Sequence, residues 1–111
     1  MAHDPTPDFD LGPLSWVQGE IDQALARGLE ALAQFKAKPQ DGTPLKHARA
    51  HVHQAAGAIQ MVGLDAVVAF TDELERQLTR LEDVPVDEVP AACDAIDRAC
   101  RKLRIFLDEL V

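Results

Sequence analysis

Four stretches of this chain repeat apolar residues at steps of three and four, and that rhythm restricts the backbone more than any other feature. The first stretch runs Leu14, Val17, Ile21, Leu25, Gly28, Leu32, Phe35. The second carries Leu45, Ala48, Val52, Ala55, Ile59, Val62, and the third Val67, Phe70 or Thr71, Leu74, Leu78, Leu81. The fourth carries Val89, Cys93, Ile96, Cys100, Leu103, Leu107, Leu110. Each is an apolar stripe along one helix face. No segment alternates with period two over a useful length, so no strand is expected. Four helices joined by short links pack most simply as an antiparallel up-down four-helix bundle, an all-α fold.

The links carry their own signals. Met1 to Pro13 is rich in Pro and Asp and reads as a tail, with the bundle filling 14–111. Ser15 followed by Gln18 has the spacing of a capping box. Lys36 and Lys38 stand where cations favour a helix's carbonyl end, and Pro39 to Gly42 breaks the helix. Thr43-Pro44 reads as a hydroxyl cap followed by proline at the first helical position. Gly63 closes the second helix, Asp65 is placed to cap the third, and Asp83 to Pro90 reads as a loop. The fourth stripe is still running at Val111. The chain is then either a piece of something longer or a helix that stops there.

Composition bounds the function. With 111 residues, one domain with a modest core is expected. Aromatics make up 5% and tyrosine is missing, so Ala, Leu, Val and Ile must build that core. A net charge of −8 repels phosphate backbones and anionic lipid heads. It favours basic patches on partners, with no nucleic acid and no membrane insertion. No apolar run nears the roughly 20 residues that span a bilayer. The first residues lack a basic-then-apolar signal pattern, so a cytoplasmic location is expected. Cys93 and Cys100 are seven apart, about 10.5 Å along a helix, too far for a disulfide, and read as small buried residues.

His53 is the residue with chemistry to offer. It lies about 130° from the centre of the second stripe, given roughly 100° per residue, and so faces solvent. Gly57 stands one turn on, Ala56 and Gln60 flank it, and Arg49 lies one turn before. An outward glycine in mid-helix costs about 1 kcal/mol against alanine; close approach of a partner would account for it. His47 and His51 have a spacing that can hold a metal, but no clear third ligand joins them, and they read as structural or surface histidines. Trp16 is read as a lid over one end of the bundle, and Met61 as packing. No Ser-His-Asp order, phosphate-cradling glycine loop or CxxC appears.

The segment His53-Gln54-Ala55-Ala56-Gly57, then Gly63, then Glu73-Leu74-Glu75 in register with no gap, resembles the histidine phosphotransfer domains. These are four-helix bundles with a phospho-accepting histidine exposed on the second helix. The likeness spans residues 14 to 110. Leu14-Ser15-Trp16-Val17-x-Gly19-Glu20-Ile21 and Val52-His53-Gln54-x-x-Gly57-x-x-Gln60-Met61-Val62 look closer still to the N-terminal segment of CheA-like histidine kinases that control type IV pili. The resemblance implies that His53 accepts a phosphoryl group and that Glu75 fixes its tautomer through Nδ1. It implies a docking surface of Arg49, Ala56, Gly57 and Gln60. Its partners would be a receiver domain and a kinase domain of the same polypeptide. No cofactor would be bound by this chain, since ATP and Mg²⁺ belong to partners. Where the family has lysine, three residues after the histidine, this chain has Ala56. Arg49 and Arg76 are candidates to compensate. The loss also opens a second reading, a module that docks regulators or scaffold proteins without phosphotransfer.

Overall fold

The structure, a computed structural model, describes residues 11–110. It contains helices α1 (Leu11–Ala37), α2 (Thr43–Met61), α3 (Asp65–Arg80) and α4 (Val89–Leu110), and no strand among the described residues. The helices pack as a ring: α1 on α2, α2 on α3, α3 on α4 and α4 on α1. With short links between neighbours, this is the expected antiparallel up-down bundle.

The stripes are the core. Leu14, Ile21, Leu25, Leu32 and Phe35 of α1 are buried, as are Leu45, Ala48, Val52, Ala55 and Ile59 of α2. Leu74, Leu78 and Leu81 join Val89, Cys93, Ile96, Cys100, Leu103 and Leu107 from the other side. Between Phe70 and Thr71, the core takes Thr71. Position 71 is four after Val67 and three before Leu74, whereas Phe70 is rotated about 100° outward and half exposed. The Thr71 hydroxyl stays satisfied in the core by donating to the Val68 carbonyl at 2.8 Å. Gly28 lies where α1 packs against α2. A Cβ there would stand 3.2 Å from Val52 Cγ2 and 3.6 Å from His51 Cβ.

Several end signals fall differently. Helix α1 begins at Leu11, so Ser15 lies in its second turn and caps nothing; the rest of the segment read as a tail, 1–10, is outside the described residues. Trp16 lies in the same second turn and points outward, where it is 89% exposed and covers nothing described. Thr43 is already helical. The cap position is Gly42, and Asp41 Oδ1 accepts the Thr43 N–H at 3.0 Å, which holds the Asp41 carboxyl below its usual range. Asp65 is likewise inside α3, with no side-chain cap bond at Leu64. Its negative charge still favours the helix N-terminus. Gly63 behaves as expected: at φ 77° it takes a conformation L side chains avoid, and it turns the chain from α2 into α3. The segment read as loop from Asp83 holds 3₁₀ turns at Leu81–Asp83 and Val86–Glu88. It ends at Val89, because proline is tolerated in a first helical turn and Pro90 sits inside α4.

Candidate functional site

The tight α2–α3 link sets two antiparallel helices side by side, and His53 and Glu75 meet across that seam. His53 Nδ1 lies 2.8 Å from Glu75 Oε2, with the histidine side chain 78% exposed and the glutamate 30%. An ionised carboxylate can only accept. A hydrogen on Nδ1 would make this contact a hydrogen bond and leave the lone pair of a neutral ring on Nε2. Glu75 is held in place by its own helix: Leu74 beside it is buried, and Thr79 Oγ1 donates to its backbone carbonyl at 3.0 Å.

Around the pair runs an open cleft of about 440 Å³ between α2 and α3, lined by Lys46, Arg49, Ala50, His53, Glu75 and Thr79. Arg49 Nη1 donates to Glu82 Oε1. Arg76, the other candidate cation, is engaged elsewhere: its Nε and Nη2 both donate to Glu73 Oε1, at 3.0 and 2.7 Å. Those bonds, with a further one from Gln77, hold the Glu73 carboxyl below its usual range.

Of the surface residues named from sequence, Gly57 and Gln60 are exposed, and nothing lies within 4 Å of where a Gly57 Cβ would stand. Ala56 is not on the surface. It is only 8% exposed. It lies about 70° from the stripe centre, and a methyl group is too short to climb past its neighbours. Met61, read as packing, is 84% exposed, because it lies about 150° from that centre. Lys46 was missed as a site residue. The signal was available, since it precedes His53 by seven positions, two turns on the same side of α2.

His47 and His51 lie elsewhere, in a cleft with Arg27, Glu30, Ala31 and Gln34 on the α1 side. Among the described residues no set of three or more His, Cys, Asp and Glu is arranged to hold a metal ion. Nor is any described helix long and apolar enough to cross a membrane.

The fold is a four-helix bundle that presents a histidine to solvent from its second helix, against a carboxylate of its third. The sequence model of the Hpt domain matches residues 14–110, and the chain belongs to that family, the histidine phosphotransfer modules of phosphorelays. Neither the comparison with curated proteins nor that with solved structures gives a match.

Proposed function

We propose that His53 is the phospho-acceptor of this domain and that Glu75 sets its reactive tautomer. The observation that carries this is the 2.8 Å contact from Nδ1 to Glu75 on a ring that is otherwise open to solvent. The Nε2 lone pair attacks a phosphorus atom, and the bond from phosphorus to its leaving oxygen breaks. In the return step a receiver aspartate oxygen attacks, the P–N bond breaks, and the ring recovers its lone pair. Nucleotide and Mg²⁺ are supplied by the partner domains, which also stabilise the transferring group. The carrier contributes exposure, one tautomer and clearance, and Gly57 supplies the clearance one turn from the ring.

The partners fitting this chemistry are a receiver domain and a kinase catalytic domain in the same polypeptide, in the cytoplasm. The paired segments around Trp16 and His53 support a CheA-like kinase of the type IV pilus system. Ala56, where the family has lysine, favours a second reading: docking of regulators or scaffold proteins without transfer.

One experiment separates the two. The chain is mixed with a chemosensory kinase core and γ-labelled ATP, and its binding to receiver domains is measured in parallel. Phosphotransfer gives an acid-labile label that His53→Gln abolishes. Receiver binding without label, surviving His53→Gln but lost in Gly57→Arg, supports docking alone.

A further inference from the structure

The charges around His53 are arranged unevenly along α2. On its C-terminal side stand Ala56, Gly57 and Gln60, none of them charged. On its N-terminal side, in the same cleft, stand Lys46 and Arg49. Side chains on a helix lean toward its N-terminus, so the imidazole overhangs the turn that contains Arg49 and Ala50. A phosphoryl group on Nε2 adds negative charge beside Glu75, in a chain already at −8, and needs cationic contacts. Arg76 is committed to Glu73. Lys46 is exposed and has no ion pair among the described residues. Arg49 gives only Nη1 to Glu82, and its remaining N–H groups stay available.

We propose that Lys46 and Arg49 form the phosphoryl-oxygen anchor of this chain, reaching the group from the N-terminal side of His53 in place of a lysine at position 56. The inference rests on the reading of His53 as acceptor. Glu82 is a positioning residue, holding the guanidinium over the cleft without touching the phosphoryl group. The anchor lies on the turns His53 leans toward, so it leaves the Gly57 side bare for a partner.

The test uses the whole chain with potassium phosphoramidate as the donor, which removes any dependence on a partner. The imidazole Nε2 attacks phosphorus, the P–N bond of the reagent breaks, and ammonia leaves. Loading is followed by ³¹P NMR and located by mass spectrometry, over a range of KCl concentrations. Lys46→Gln/Arg49→Gln should load about three- to tenfold more slowly than the parent. Its rate should also depend less on salt, since screening acts on the lost charges. Adding Ala56→Lys to that double variant should restore at least half of the loss. Lys46→Gln alone, at an exposed and unpaired position, guards against a folding artefact and should load about two- to threefold more slowly. Equal rates and equal salt dependence in parent and double variant overturn the anchor while leaving His53 as acceptor. Label on His47 or His51, or label that survives His53→Gln, overturns the acceptor reading and the anchor with it.

Discussion

His53 is largely reachable by water and Glu75 only partly, and a solvent-open pair of this kind contributes about 0–1 kcal/mol to stability. In the proposed function its consequence is chemical: it would decide which ring nitrogen is bare. Glu75→Ala should therefore leave the unfolding midpoint almost unchanged while shifting the neutral His53 ring toward the Nε2–H tautomer, readable from its ¹⁵N shifts. An unchanged tautomer ratio would remove Glu75 from the site. Cys100 offers a second test. Burial pushes its thiol up from 9.0 to about 11. The unfolded chain releases that proton near pH 9 while the folded chain keeps it, so the unfolded state binds fewer protons and stability declines between pH 9 and 11. Urea midpoints across that range should fall in the parent and fall less steeply in Cys100→Ala, where the Cys93 thiol, also raised by burial, remains. At this scale the sequence was legible where rotation about the helix axis decides, as for His53 and Gly57. It was misleading where size or chain path decides. Ala56 points partly outward but is too short to emerge, and Trp16 lost its role when α1 began at Leu11. The meeting of His53 with Glu75 came from a resemblance, since periodicity cannot set the register between two helices.

The elements follow from the stripes, and their interiors were easier to read than their ends. A stripe sums many apolar contacts, whereas a cap rests on one hydrogen bond worth about 1 kcal/mol. Asp41 could therefore take the capping role expected of Thr43. Two glycines in helix interiors test how α1 and α2 are used. Gly28 faces α2, where a Cβ would sit 3.2 Å from Val52. Gly28→Leu should destabilise by about 1–3 kcal/mol in urea unfolding, through overpacking. Gly57 faces open space, so Gly57→Ala should stabilise the chain by about 0.5–1 kcal/mol. If clearance is what the glycine provides, the same variant should slow phosphotransfer from a kinase core. A more stable variant that transfers at the parental rate would leave the glycine without a functional reason.

Across the whole molecule, ion pairs fasten α1 to α4 on the side away from the site. Arg104 grips Asp22 through Nε at 2.7 Å and Nη2 at 3.1 Å, which holds the guanidinium pKa up. Lys36 reaches Asp94 at 2.6 Å. Asp22→Asn should cost about 0.5–1 kcal/mol in urea unfolding and leave the rate of His53 loading by phosphoramidate as it was; a slowed rate would mean that the α1–α4 seam tunes the site. Such long-range pairs were not legible in the sequence, because 82 positions separate Asp22 from Arg104.

The short link through Gly63 places every side chain of the proposed chemistry, from Lys46 to Glu82, on one antiparallel hairpin and the turn that follows it. The outer helices then act as a splint, free to drift in surface sequence and in length provided their apolar seams endure. Grafted onto a different pair of supporting helices, residues 46–82 would carry the reactive group with them, and kinship between such carriers should be sought first in that hairpin.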